Sequence, residues 1–182
     1  MRKLTHTLLG TLLLFISIMT IQSCEPAQLP QDPDEPQGIQ SFEVYTAPRE
    51  ALDLEVCDTV YVPIYSDIYT TTIHHRFNLT ATLSIRNTSL DHAMYIDHID
   101  YYDSHGELVR EYVDSMLILR PMSSIEFVIE EDDTAGGTGA NFIVDWCAES
   151  THVYPVLQGV MISTHGQQGI SFITDGVSIK RR

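Results

Sequence analysis

The chain has 182 residues, enough for one domain of ordinary size with accessory segments and too few for a second full core. Asp and Glu number 25 against 10 Lys and Arg, and setting aside the first 23 residues, with Arg2 and Lys3, leaves 25 against 8, a net of −17. Such a surface repels phosphate backbones, which disfavours nucleic acid as a partner and leaves cations or basic partners open.

Arg2 and Lys3 precede an apolar run over residues 8–21. This is the charged start and short hydrophobic middle of a secretory signal, whereas a membrane span needs about 20 apolar residues. The run ends Ile21-Gln22-Ser23-Cys24. That ending resembles the bacterial lipoprotein signal, which has an apolar residue three before the cysteine and a small residue just before it. The resemblance implies cleavage before Cys24, a diacylglycerol on its thiol and an acyl chain on its amine, each buried methylene contributing about 0.8 kcal/mol to anchoring. Residues 1–23 are therefore expected to be a signal peptide and Cys24 a lipidation site. Residues 24–40 carry Pro26, Pro30, Pro33 and Pro36 among acids and glutamines and cannot bury a core. In polyproline II form this tether would reach up to about 50 Å.

Residues 41–182 read as one β domain. Helix formers are sparse, and Val, Ile, Thr and Tyr recur in short runs separated by Gly, Pro, Asn and Asp. Phe42 and Val44 mark a first strand, and residues 56–65 a second, with Pro63 at an edge or bulge. Residues 66–75 lead into the clearest stretch, 79–112, which reads as three consecutive antiparallel strands. Leu79, Ala81, Leu83 and Ile85 alternate with Thr80, Thr82, Ser84 and Arg86, the period of a strand buried on one face. A polar turn over 87–91 follows. Met94 and Ile96 then share one parity and Ile99 and Tyr101 the other, which predicts a β-bulge near Asp97 and His98. Asp103 to Gly106 closes a hairpin, Gly106 taking positive φ, and Leu108 and Val109 start the return strand. Strands are further expected over 116–119, 125–129, 142–146, 156–162 and 170–173, with Trp146 in the core beside Phe142 and Val144. Nine or ten strands at this spacing predict an antiparallel β-sandwich, immunoglobulin-like or jelly-roll-like.

With Cys24 lipidated, Cys57 and Cys147 remain as an even pair in a compartment that permits disulfides. A bridge is expected, two buried free thiols being the alternative.

Several runs carry a family resemblance: YVPIYSDIY at 61–69, LTATLSIRNT at 79–88, DYYDSHGELVREY at 100–112, GGTGANFIVDW at 136–146 and PVLQGVMISTHGQQGISF at 155–172. Together they resemble the bacterial family catalogued as domain of unknown function 3124. The resemblance implies no activity, substrate or catalytic residue, because that family has none established. Where an acidic residue commonly precedes the glycine at position 159, this chain has Gln158, so no role of that acid carries over.

GGTGANFIV also resembles one turn of the calcium-binding nonapeptide repeat, with Asn141 in place of the aspartate and Glu130, Glu131, Asp132 and Asp133 nearby. A calcium roll stacks several copies and this chain has one, so a Gly-rich turn is expected, with Asp132, Asp133 and Asn141 as weak metal candidates. The glycines at 137 and 139 are expected to supply positive φ for the reversal before Phe142. Histidines at 74, 75, 92, 98, 105, 152 and 165 lack chelating spacing, His74 and His75 being expected on opposite strand faces. No G-x-S-x-G elbow activates a serine, and no cation adjoins Cys57 in sequence. No catalytic residue and no cofactor are assigned.

The sequence thus predicts a lipid-anchored β-sandwich on the periplasmic or outer-membrane face of a bacterial envelope. It would act as a binding or assembly module, held to the membrane through Cys24 and facing an envelope protein or glycan. The alternative is a cation- or glycan-binding surface domain with Tyr61, Tyr65, Tyr69, Tyr101 and Tyr102 as stacking groups; an enzyme of unknown class comes third.

Overall fold

The computed structural model describes residues 49–113, 115–164 and 169–182. The signal and tether segments, Cys24, the expected Phe42–Val44 strand and His165 lie outside them. Among the described residues twelve strands form: β1 Val56–Pro63, β2 Asp67–Tyr69, β3 Arg76–Asn78, β4 Thr80–Arg86, β5 Met94–Tyr102, β6 Leu108–Glu111, β7 Leu117–Leu119, β8 Ser124–Ile129, β9 Asn141–Ala148, β10 Val156–Ser163, β11 Ile170–Asp175 and β12 Val177–Ser178. The two or three beyond the expected nine or ten are short pieces, the β2–β3 hairpin and β12, whose two or three residues give no readable alternation.

All pairings are antiparallel. Six strands make one sheet in the order β12-β1-β9-β5-β6, with β7 paired to the other half of β5, and four make a second in the order β11-β10-β4-β8. Between them lies one core. Val60, Val62, Ile96, Ile99, Phe142, Val144 and Trp146 from the larger sheet and Ala81, Leu83, Ile85, Phe127, Ile129, Leu157 and Met161 from the smaller belong to a single buried cluster. Full burial of a side chain of this size contributes about 1.5–3 kcal/mol, so the two inward faces hold the sheets together. The chain is an all-β sandwich.

The alternation over 79–86 is borne out, since Leu79, Ala81, Leu83 and Ile85 are all completely buried. The bulge is also present: Ile96 pairs with Trp146 and His98 with Asp145, so Asp97 is the extra residue. It brings Met94, Ile96, Ile99 and Tyr101 inward despite their two parities. Gly106 turns with φ 82°. The three-strand meander needs correction. β4 pairs with β10 and β8, and of the three expected strands only β5 and β6 pair with each other. The turn after Arg86 is a corner between sheets, fixed by the buried Asn87, whose Nδ2 donates to the carbonyls of His92 at 2.8 Å and Leu119 at 3.0 Å. An amide buried among main-chain carbonyls satisfies the backbone where the ladder breaks off. His74 and His75 lie in the β2–β3 turn, not on a strand, and all six described histidines are exposed.

Cys57 and Cys147 are bonded, as expected, with Cα atoms 4.0 Å apart across 90 residues of chain. They are direct partners in the β1–β9 register. Cys57 exchanges both its main-chain hydrogen bonds with Arg182, at 3.1 and 2.8 Å, so the pair facing Cys147 is the non-hydrogen-bonded kind, in which side chains approach most closely.

Candidate functional site

Residues 130–141 form a knot of main-chain contacts at one end of the larger sheet. Glu130 to Asp133 closes a turn through Asp133 N–H to the Glu130 carbonyl at 3.0 Å, and Asp133 Oδ1 accepts from the Ala135 N–H at 3.2 Å. The glycines then meet two other segments. Ser104 Oγ donates to the Gly136 carbonyl at 2.9 Å and accepts from the Gly139 N–H at 2.8 Å, while the Ser66 N–H donates to the Gly137 carbonyl at 3.1 Å. Gly137 has φ 73°, as a turn glycine should. Gly139 does not, so its expected conformational role is corrected: a side chain there would meet Ser104 instead. The glycine that sequence reasoning missed is Gly136. A Cβ there would lie 2.6 Å from Tyr101 Cζ and 2.7 Å from Ala140 Cβ, so only a bare Cα lets the Tyr101 ring end close on this loop. Tyr101 is fully buried and its hydroxyl bonds Ser66 Oγ at 2.7 Å. Burial pushes its pKa up against the opposing Ser66 bond, which keeps the phenol neutral at pH 7.

The metal candidates separate. Asp133 Oδ2 accepts from Arg110 Nη2 at 2.9 Å, Asp132 is exposed at the rim of a groove, and Asn141 opens β9 opposite Pro63 and Tyr102. Among the described residues no three His, Cys, Asp or Glu side chains form a group that could hold a metal ion. Melting of the full chain should therefore be the same in calcium and in chelator, and Asp132→Asn should change stability by less than about 0.5 kcal/mol. A calcium-dependent rise in Tm that Asp132→Asn abolishes would identify a metal site.

Beside this loop the β2–β3 hairpin holds a second group of polar residues. Asp67, buried on β2, accepts from Arg76 Nη1 at 3.2 Å through Oδ2, while its Oδ1 has no hydrogen-bond partner. Arg76 also donates to Tyr69 Oη at 3.2 Å and sits 5.1 Å over the Tyr69 ring. Alternating β residues do not reveal such a cluster. Its signal is the Asp67–Arg76 pair of opposite charges on the two strands of one hairpin.

Of the tyrosines named as stacking groups, Tyr101 is buried, Tyr65 packs edge-on to Phe172 at 5.7 Å, and Tyr69 carries Arg76 on its ring. Cys57 does have a cationic neighbour in space. The Arg49 guanidinium pairs with Asp97 and reaches within 3.8 Å of Cys57 Sγ and 3.1 Å of Cys147 Sγ. At position 158 the glutamine donates to Asp175 Oδ1 at 2.8 Å, where an acidic side chain would face a second carboxylate.

No curated protein matches the chain. A crystal structure of Thermotoga maritima 1070 is similar over 66% of this chain and 92% of its own, at 15% identity and a TM-score of 0.37. That degree of likeness carries no functional argument. A family model described as a protein of unknown function matches residues 57–179, from the bridged Cys57 on β1 to the strand that closes the larger sheet. This span takes in both sheets, the disulfide and the glycine knot, and the chain belongs to that family, DUF3124.

Proposed function

We propose that the protein is a lipid-anchored module of the bacterial cell envelope, held by Cys24, spaced from the bilayer by the Pro-rich tether and acting through its β-sandwich in binding or assembly. The observation that carries this reading is Ile21-Gln22-Ser23-Cys24 at the end of a short apolar run behind two basic residues. The bridge between Cys57 and Cys147 supports it from a separate direction, because structural disulfides belong to oxidising compartments. A Pro-rich segment whose composition cannot bury a core, followed by a β-sandwich, suits display away from the membrane.

Replacing Cys24 by Ala tests the anchor. In bacteria fed a labelled fatty acid, the parent chain should carry label and sediment with membranes, and Cys24→Ala should lose the label and leave the membrane fraction. Retention of both by Cys24→Ala would refute the reading.

A further inference from the structure

A groove of about 590 Å³ runs beside the β2–β3 hairpin, lined by Arg76, Phe77, Asn78, Glu131 and Asp132. Its volume is in the usual range for small-ligand sites. Arg76 is held in place before any ligand arrives. It bonds the buried Asp67 and the Tyr69 hydroxyl, each at 3.2 Å, and Asp67 has a side-chain exposure of only 3%. A carboxylate that deeply buried, with one oxygen otherwise unpartnered, needs the guanidinium where it is. Those two bonds use two of the five guanidinium N–H groups, and Arg76 lines the groove.

The other lining groups complement this fork. Asn78 brings an exposed amide with donors and an acceptor, and Asp132 an exposed carboxylate that only accepts. Glu131 is tied to the frame, accepting from Ser163 Oγ at 3.2 Å. Phe77, half-buried against the core, supplies the apolar wall.

Charge decides the ligand class. Arg76 is already neutralised by Asp67, so Glu131 and Asp132 leave the groove negative and an anion is repelled. A bare cation would find only Glu131 and Asp132 and no third carboxylate, since no metal-holding group exists among the described residues. What fits is an uncharged molecule whose hydroxyls both donate and accept and whose carbon skeleton has an apolar face. We propose that this groove is a subsite for a neutral sugar residue, with Asp132 accepting from a hydroxyl, Arg76 and Asn78 donating, and Phe77 against the ring. This deepens the envelope reading, which would place the groove among surface glycans, and rests on it for that source alone.

The full chain, purified in a detergent without a sugar headgroup and labelled with nitrogen-15, is titrated with chitotetraose, cellotetraose, maltotetraose and mannotetraose. Sodium phosphate and calcium chloride are run in parallel. At least one oligosaccharide should give saturable amide shifts centred on residues 76–78 and 131–132, weakened about tenfold or more by Asp132→Asn, a loss of about 1.4 kcal/mol. Arg76→Gln should weaken it as well. Because it strips Asp67 of its partner, Asp132→Asn, on an exposed loop, is the cleaner variant. Saturation at these amides by phosphate or calcium alone, or by none of the probes, overturns the proposal. Neither result touches the Cys24 experiment, so the sugar site and the anchor fail separately.

Discussion

Gly136→Ala is expected to lower the stability of the domain by about 3 kcal/mol, near the upper end of what overpacking a core usually costs. The added Cβ would fall 2.6 Å from Tyr101 Cζ and 2.7 Å from Ala140 Cβ, and neither neighbour can retreat cheaply. Tyr101 is fully buried, packs on Phe142 with ring centroids 5.0 Å apart, and is held by Ser66 at 2.7 Å. Ala140 is buried and its carbonyl accepts from the Ile64 N–H at 2.9 Å. Tyr101→Phe alone should cost about 1 kcal/mol, because the buried Ser66 hydroxyl loses its partner. In the Gly136→Ala background the same change should instead recover stability, since it removes the atom nearest the new methyl group. That change of sign in a double-mutant cycle reports the contact directly. Denaturant midpoints would measure it, and a Gly136→Ala protein as stable as its parent would show that the loop does not close on Tyr101 as described.

Removing the bridge should be the other large effect. The Cys57–Cys147 bond spans 90 residues, for which the loop-entropy model gives about 4 to 5 kcal/mol. Most of that acts on the unfolded chain, because the β1–β9 ladder continues through Pro63 and Asn141 and does not need the bond to set its register. The double variant Cys57→Ala/Cys147→Ala should therefore keep its strand content and lose much of its resistance to denaturant. Substituting both residues avoids a stray thiol. An unchanged midpoint, or two freely alkylated thiols in the oxidised parent chain, would refute this expectation.

Some of this architecture was written plainly in the residues. Alternation identified the inward face of β4, and because a one-residue slip inverts every side chain, two parities on β5 could share one core only through a bulge at Asp97. Strand neighbours were another matter. Period-two patterning says which face is buried and not which strand lies alongside, so β4 looked like the first strand of a meander when Asn87 in fact turns the chain into the opposite sheet. The short β2, β3 and β12 fell below the length at which a pattern can be counted. Glycine counting marked residues 136–139 as a turn but could not show that a tyrosine distant in sequence closes against Gly136. The groove was hidden for the same reason: Arg76 and Asp132 lie on separate segments, and only the fold puts them around one space.

Anchoring in the envelope through Cys24, as proposed, would be read from the mass of the protein's own N-terminal peptide. The native chain would be extracted from bacterial membranes, digested and analysed by mass spectrometry. The expected product is a peptide that begins at Cys24 and carries a thioether-linked diacylglycerol with an acylated amine. A peptide with an unmodified Cys24 thiol, or a mature terminus at any other residue, would contradict it.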